Sequence, residues 1–272
     1  MISANNIRLI AADIDGTLVV GGKVVSPELK DIFAELKRGG VVTTLCTGRL
    51  PHWTARVADE LGVTDYLICT EGGNVFHRPT GEKIHYAVLH ESVVERVARL
   101  VEKERDIGLA AMCDDTIWAM SETAGRRAHW WGFNWRHVRD VREAPEPVLF
   151  VLFGPHDRLA RANAELRNDI PADRALLYDL EDLGGYAQFR ACEPKADKGV
   201  GAERLVRHLG GDKGQILAFG DGLNDLGIMR RAGLSICPSN AHPKVCRLAS
   251  RVFQYSAAEG FVAREIKRIF DL

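Results

Sequence analysis

The sequence predicts an α/β protein, in which a parallel, Rossmann-like sheet covered by helices is interrupted by an inserted α+β unit. Apolar runs of strand length alternate with helical patterns over the first 80 residues, and this alternation indicates a parallel sheet with helices on both faces. The pattern changes near residue 74, and the alternation returns after residue 195. We therefore predict a core domain formed by residues 1–86 and 191–272, with an inserted domain at 87–190.

The elements of the first part follow from local patterns. The run IRLIAA is typical of a buried parallel strand. Ser26 and Pro27 supply the N-cap and first turn of a helix, whose apolar residues repeat at helical spacing until Gly39. The second strand is predicted at VVTTLC, the second helix at residues 52–61 and the third strand at DYLICT.

The inserted unit begins after a hairpin that is predicted around residues 79–81. A helix follows from about residue 88, then the strands LAAMC and TIWAM, an aromatic segment, the run VLFVLF, a helix at 157–168 and the strands ALLYDL and YAQFR. The last part has predicted helices at 198–209, 224–232, 242–249 and 259–270, with the strands ILAFG and LSIC between them. This return to alternation continues the parallel sheet.

Composition excludes several classes of function. Thirty-six basic and 37 acidic residues give a formal net charge of −1, which argues against a nucleic-acid-binding surface. The six scattered cysteines form no C-x-x-C pair and are predicted to be reduced thiols in a cytoplasmic protein. No apolar stretch approaches the length of a membrane span or a secretion signal.

Four short polar segments fall at the carboxyl ends of predicted strands or at the helix starts beside them, where open α/β sheets bind ligands. They are Asp13-Ile14-Asp15-Gly16-Thr17, Thr47-Gly48-Arg49, Lys198-Gly199 and Gly220-Asp221-Gly222-Leu223-Asn224-Asp225. Clustered carboxylates repel each other unless a cation lies among them, and such oxygen ligands suit Mg²⁺. The lysine and a threonine beside that metal predict an anionic substrate, and phosphate is the obvious one.

These segments, DIDGTL, TGR, KG and GDGLND, resemble the four motifs of the haloacid dehalogenase superfamily of phosphotransferases. The long interval between Thr47 and Lys198 leaves room for a cap between the second and third motifs. That is the position of the α+β cap in Cof-type sugar phosphatases, whose common Glu-Asn-Gly-Ala segment is approximated here by TEGGN at residues 70–74. The resemblance implies a Mg²⁺-dependent phosphatase of small phosphorylated metabolites, most of all phosphosugars, with a cap that selects the leaving group.

The resemblance also implies roles for the two acids of the first motif. Asp13 is expected to attack phosphorus and form an aspartyl-phosphate. Asp15 is expected to protonate the leaving alkoxide and then to deprotonate the hydrolytic water. Gly16 and Thr17 make the tight turn that aims both acids inward.

Further roles fall to the other three motifs. Thr47, Gly48, Lys198 and Asn224 are expected to bind the phosphoryl group, with Asn224 alternatively orienting a carboxylate. The expected Mg²⁺ ligands are the carboxylates of Asp13 and Asp221 and the backbone carbonyl of Asp15, with Asp225 as a further ligand or as a residue that orients the ligands.

Several alternatives remain open at this stage. Lys195 lies three residues before Lys198 and competes for the third-motif role, although Lys198 is favoured because it precedes Gly199 at a helix start. Arg49 is expected either to bind phosphate or to pair with an acid. A phosphosugar mutase uses related motifs and a sugar hydroxyl in place of water, and a metabolite-binding protein without catalysis is a third possibility.

The predicted cap is rich in aromatic and basic side chains. We expect most of the aromatic residues to pack in the cap's own core and most of the charged ones to form a solvated face. The alternative is that one or two aromatic residues contact the leaving group and that the basic ones bind substrate hydroxyls or a second anion. The nine histidines show no spacing typical of zinc ligands. The residues concerned are Trp118, Trp130, Trp131, Phe133 and Trp135, with Arg126, Arg127, His129, Arg136 and His137.

Overall fold

The computed structural model describes residues 6–120, 134–182 and 186–272. The chain divides into two compact units: unit 1 (Met1–Tyr86 and Asp197–Leu272) and unit 2 (Ala87–Ala196). From the sequence, the second boundary was expected between residues 190 and 191. The structure places it after Ala196, because a strand of unit 2 continues to Cys192.

The first segment of unit 1 alternates strands and helices. Its described elements are β1 (Leu9–Ala12), β2 (Val19–Val20), β3 (Lys23–Val24), α1 (Leu29–Arg38), β4 (Val42–Cys46), α2 (Pro51–Leu61), β5 (Tyr66–Cys69), β6 (Asn74–His77) and β7 (Lys83–Tyr86). Helix α2 begins with a proline in its first turn and is followed by Gly62, whose backbone has the left-handed conformation. A proline at the start and a left-handed glycine after the end are both common in helices.

Unit 2 is an α+β unit. Its described elements are α3 (Glu91–Lys103), β8 (Gly108–Cys113), β9 (Thr116–Ala119), β10 (Trp135–His137), β11 (Leu149–Gly154), α4 (His156–Asp169), β12 (Leu176–Leu177), β13 (Glu181–Asp182) and β14 (Ala187–Cys192). The sheet order is β10-β9-β8-β11-β14-β12, and β13 also pairs with β14. Both helices pack on this sheet in one apolar cluster that includes Val97, Leu159 and Phe150.

The chain then returns to unit 1 and completes its sheet. The elements of this segment are α5 (Lys198–His208), β15 (Ile216–Phe219), α6 (Leu226–Arg231), β16 (Leu234–Cys237), α7 (Pro243–Leu248), β17 (Arg251–Val252) and α8 (Phe261–Phe270). The sheet order is β17-β16-β15-β1-β4-β5-β6-β7. Strands β17 to β5 are parallel, and β6 and β7 form an antiparallel hairpin at the edge.

The sheet of unit 1 is buried on both faces. Alternate residues of β1 belong to two different apolar clusters, with Ile10 in one and Leu9 in the other, because successive side chains of a strand lie on opposite faces of the sheet. Helices α1, α2 and α8 cover the first face, and α5, α6 and α7 cover the second. No helix in the described ranges combines the length and apolar character that a membrane span needs.

Short elements account for most differences from the sequence-based expectation. The hairpin β2–β3 was not predicted, although its Gly21-Gly22 turn is a recognised hairpin signal. The strand expected over ALLYDL is only Leu176–Leu177, and the helix expected over 224–232 is the shorter α6. Helix α6 starts late because residues Leu223–Asp225 form a separate 3₁₀ turn.

Candidate active site

The strand order of unit 1 reverses at β1. From β1 the chain continues to β4 on one side of the strand, and β15 pairs with β1 on the other. In doubly wound sheets, the loops that follow such strands form a crevice at the carboxyl edge. Three of the four predicted motifs follow β1, β4 and β15, and the fourth begins α5.

The ammonium group of Lys198 joins the first motif to the fourth. Its Nζ donates to Asp13 Oδ1 and to Asp225 Oδ1, each at 2.6 Å. Lys198 and Asp225 are completely buried, and Asp13 is almost so. A buried lysine is rare unless it is paired, so these two contacts explain how it is accommodated.

Asp225 organises the loop that carries Asp221. Its Oδ2 accepts hydrogen bonds from the backbone N–H groups of Asp221 and Gly222, both at 2.9 Å. Since its Oδ1 already accepts from Lys198, both oxygens of this carboxylate are engaged. Asp225 therefore orients the Asp221 loop and the lysine together.

Asp221 is held against the turn that follows β1. The Thr17 hydroxyl donates to its Oδ1 at 2.7 Å. Gly16 is left-handed, with φ of 83°, and a Cβ there would overlap the Asp221 carboxylate. The glycine is required both by its backbone conformation and by this close approach.

Glycines allow close packing around the first turn of helix α5. Asp197 caps it by accepting from Val200 N at 3.0 Å. A Cβ on Gly72, Gly199 or Gly227 would come closer than 3.0 Å to atoms of neighbouring loops or helices. This close packing fixes where α5 begins relative to the neighbouring loops, and hence the position of Lys198.

Asp15 lies in a more open position than Asp13. Its side chain is 61% exposed, and Arg49 binds both carboxylate oxygens, with Nε to Oδ2 at 2.7 Å and Nη2 to Oδ1. Of the two roles left open for Arg49, the structure supports pairing with an acid. The paired acid is the one expected to act as general acid and base.

Thr47 and Gly48 lie beside a turn at residues Thr70–Gly72 that follows β5. Thr47 is buried, and its carbonyl accepts from Glu71 N at 3.1 Å. The buried Glu71 carboxylate accepts from Asn224 Nδ2 at 3.0 Å, and its Oε1 would be 2.5 Å from a Cβ on Gly48. Glu71 thus touches the second and fourth motifs, and it was not among the predicted site residues.

The turn that carries Glu71 is strained. Thr70 and Glu71 have φ of 51° and 57°, a left-handed conformation that costs each such residue about 1–3 kcal/mol. The buried Thr70 hydroxyl has no hydrogen-bond partner within the described parts of the chain. The turn is therefore not maintained by side-chain hydrogen bonding at Thr70.

Burial and crowding of like charges shift the pKa values in the cluster. Burial raises the pKa of Asp13 well above its ordinary value; Lys198 opposes this shift and Asp225 adds to it. Burial also raises the pKa of Asp221, although the hydrogen bond from Thr17 opposes it. Burial alone would lower the pKa of Lys198, but Asp13 and Asp225 raise it well above normal. The carboxylates outnumber the buried cation, which makes the site receptive to further positive charge.

The donor set of this cluster fits a hard divalent cation. One carboxylate oxygen each of Asp13, Asp221 and Asp225 lies within 4.8 Å of the others, and all three are oxygen donors of the kind that Mg²⁺ binds. Asp13 and Asp221 each retain a second oxygen besides the one that accepts from Lys198 or Thr17. The Asp15 side chain lies apart from the group, paired with Arg49.

Two further expectations concern residues outside this cluster. Lys195 is exposed and belongs to unit 2, whereas Lys198 is buried between Asp13 and Asp225, so the geometry favours Lys198. In unit 2, Trp118 packs against the apolar core, with the Arg136 guanidinium 5.3 Å from its ring centre. Six of the other aromatic and basic residues named for the cap lie outside the described residues: Arg126, Arg127, His129, Trp130, Trp131 and Phe133.

Comparison with known proteins identifies the family. The sequence profile of haloacid dehalogenase-like hydrolases matches residues 10–266. An HMP-PP phosphatase from Serratia proteamaculans is 27% identical over 245 residues, which covers 88% of this chain and 86% of that protein. A haloacid dehalogenase-like hydrolase from Bacteroides thetaiotaomicron has a TM-score of 0.81 at 20% identity, covering 97% of this chain and 100% of the other. A subclass IIB sugar phosphatase has a TM-score of 0.75 at 18% identity, covering 97% and 100%.

The fold and the family match together define an enzyme of the hydrolase class on a doubly wound α/β core. The chain belongs to the haloacid dehalogenase-like hydrolases. The predictions of this family and of the α/β fold are confirmed, and the relative named as a phosphatase supports phosphatase activity.

Proposed function

We propose that this protein hydrolyses small phosphorylated metabolites, phosphosugars foremost, through an aspartyl-phosphate on Asp13. The observation that carries the proposal is the buried cluster in which Lys198 bridges Asp13 and Asp225 beside Asp221. A stable core does not require such an excess of buried acid, because buried charges are costly. A phosphoryl-transfer site does require a positioned nucleophile and a fixed positive charge.

The side chains divide the reaction between them. One carboxylate oxygen of Asp13 attacks phosphorus while the bond to the leaving oxygen breaks, and the other is left to hold the cation; Lys198 donates to Oδ1 and fixes the carboxylate in place. Asp15 gives its proton to that oxygen and then takes a proton from the water that attacks the aspartyl-phosphate.

Mg²⁺ is the proposed cofactor. Asp13 and Asp221 would hold it with the backbone carbonyl of Asp15, while Asp225 would act through its hydrogen bonds to the Asp221 loop. When bound, the ion supplies positive charge that offsets both the carboxylates and the phosphate. Thr47, Gly48 and Asn224 are proposed to bind the phosphoryl oxygens.

The two units are proposed to have separate tasks. Unit 1 carries the chemistry, and unit 2 supplies substrate specificity as a cap. A cytoplasmic location is also proposed, since the six cysteines are scattered along the sequence without a C-x-x-C pair, as is typical of thiols kept reduced in the cytoplasm.

Phosphate release from a panel of phosphorylated metabolites, each with Mg²⁺ and with EDTA, tests the function. The panel includes hexose 6-phosphates, hexose 1-phosphates, HMP-PP and p-nitrophenyl phosphate. We expect release that depends on Mg²⁺ and concentrates on one substrate class. Conversion of a hexose 1-phosphate to the 6-phosphate with little free phosphate would instead identify a mutase. Tight phosphosugar binding without turnover would identify a metabolite-binding protein.

A further inference from the structure

The turn at residues Thr70–Gly72 contacts three of the four motif segments. Glu71 N donates to the Thr47 carbonyl, and Glu71 Oε2 accepts from Asn224 Nδ2. Gly72 lies against the backbone of Asp197 and Lys198 so closely that a Cβ there would overlap it. The turn therefore connects loops that are far apart in the sequence.

The conformation of Glu71 requires an explanation outside the turn itself. Left-handed backbone is uncommon for residues other than glycine and favours asparagine and aspartate among them, yet here a glutamate occupies it with φ of 57° and is 4% exposed. Strain of this kind persists when the surrounding structure imposes it, and it is concentrated at functional sites. Two hydrogen bonds accompany this conformation: Glu71 N donates to the Thr47 carbonyl, and Asn224 Nδ2 donates to Glu71 Oε2.

Asn224 depends on Glu71 for its orientation. An amide side chain has a broad terminal torsion and can present either its oxygen or its nitrogen to a given side. Accepting from Nδ2 fixes which group faces Glu71. The other carboxylate oxygen of Glu71, Oε1, occupies the space that a side chain at residue 48 would need, so the glycine at residue 48 is required by the position of Glu71.

We propose that Glu71 is a positioning residue that fixes the Asn224 amide and the Thr47–Gly48 turn for phosphate binding. The proposal rests on the proposed function of this site. Glu71 acts through Asn224 and the turn, so its hydrogen-bond geometry matters more than its charge.

Three substitutions at this position separate geometry, charge and strain. Glu71→Asn suits the left-handed backbone but is too short to reach Asn224, so we expect an unchanged or higher Tm together with a roughly 10-fold lower kcat/KM for p-nitrophenyl phosphate, mainly through KM. Glu71→Gln retains an acceptor at the same length and should stay within about threefold of the wild type. The matched control is Glu146→Asn, since Glu146 is also left-handed (φ 47°) but exposed in unit 2; its activity should not change.

A double-mutant cycle tests whether Glu71 acts through Asn224. If it does, Glu71→Asn combined with Asn224→Ala should lose no more activity than the more damaging single variant. A double variant whose loss is the product of the two single-variant losses would overturn the proposal. Equal losses in Glu71→Gln and Glu71→Asn would also overturn it, since charge rather than the hydrogen bond would then matter. A loss that tracks a lower Tm would show a purely structural role.

A readout without turnover separates this proposal from the proposed function. Inorganic phosphate with Mg²⁺ should raise the Tm of the wild type, because a ligand that binds the folded state stabilises it, and Glu71→Asn should lose most of this rise. If the wild type binds phosphate but hydrolyses nothing, the proposed function fails while the positioning role is still decided by the Tm shift. If phosphate raises the Tm of both proteins equally, the positioning role is wrong.

Discussion

Charged residues are organised in opposite ways in the two units. In unit 2, Arg142 donates to Glu95, Glu102 and Asp140 on the surface, and Arg99 also donates to Glu95. In unit 1, the cluster around Lys198 is buried and holds more carboxylates than cations. The surface network has two guanidinium groups for three carboxylates, all in contact with water. The buried cluster has one ammonium group for three carboxylates inside the protein.

The pKa values show the consequence of this difference. In the surface network, hydrogen bonds from Arg142 and Arg99 lower the pKa of Glu95 to about 2. In the buried cluster, burial raises the pKa values of Asp13 and Asp221. Paired surface charges are typical of a structural role, whereas unbalanced buried acids are typical of a site that awaits a ligand.

Replacing the proposed nucleophile should give the largest effect. We expect Asp13→Asn to lower kcat by roughly 10⁴-fold or more, because the amide does not form the aspartyl-phosphate. The fold should be retained, since Lys198 keeps its contact with Asp225. Phosphate release and Tm are the measurements, and appreciable turnover by the pure variant would remove Asp13 from the nucleophile role.

Removing the buried cation should cost both activity and stability. Lys198→Met leaves Asp13 and Asp225 without the ammonium group, and breaking a buried ion pair in this way costs about 3–5 kcal/mol. We expect a lower free energy of unfolding in urea and a roughly 10³-fold lower kcat/KM. A variant as stable and as active as the wild type would show that the cluster does not depend on its lysine.

Asp15 tests whether exposure alone separates structural from functional charges. It is exposed and paired like the residues of unit 2, yet it is the proposed acid and base. We expect Asp15→Ala to slow hydrolysis of a phosphosugar by roughly 10²-fold, and to slow that of p-nitrophenyl phosphate less, because p-nitrophenolate leaves without a proton. Equal losses on the two substrates would exclude the acid role.

The smallest effect is expected at the centre of the surface network. Arg142→Met should leave phosphatase activity unchanged and Tm within about 2 °C of the wild type, because exposed ion pairs contribute little to the free energy of unfolding.

The pH dependence of stability offers a second measurement on this network. Glu95 has a lowered pKa in the folded state, so its contribution to the free energy of unfolding is present above pH 4.5 and is lost as the pH falls towards about 2. Urea unfolding at neutral and acid pH should show the wild type losing this small advantage over the variant. A large loss of activity would contradict the structural assignment.

Much of the fold could be predicted because its signals are local. The hairpin β6–β7 lies around the expected turn, and α4 and α7 begin and end within about a residue of the predicted bounds. Lys198 could be preferred over Lys195 because a glycine follows it. Glu71 lies in the TEGGN segment that approximates the Glu-Asn-Gly-Ala of Cof-type members, but nothing in that segment indicates its partner Asn224, which is 153 residues away. Its role depends on tertiary contacts that only the folded chain brings together.

The close packing of glycines around the start of α5 also limits which substitutions laboratory evolution can introduce into this enzyme. Side chains introduced at Gly72, Gly199 or Gly227 would displace α5 and its lysine, so clones that carry such changes should disappear from any functional library. Productive diversity is therefore expected in unit 2, where replacing an exposed residue such as His137 should not disturb a packed helix start. A library confined to unit 2 should yield a higher fraction of folded, active clones than one of equal size confined to the loops around α5.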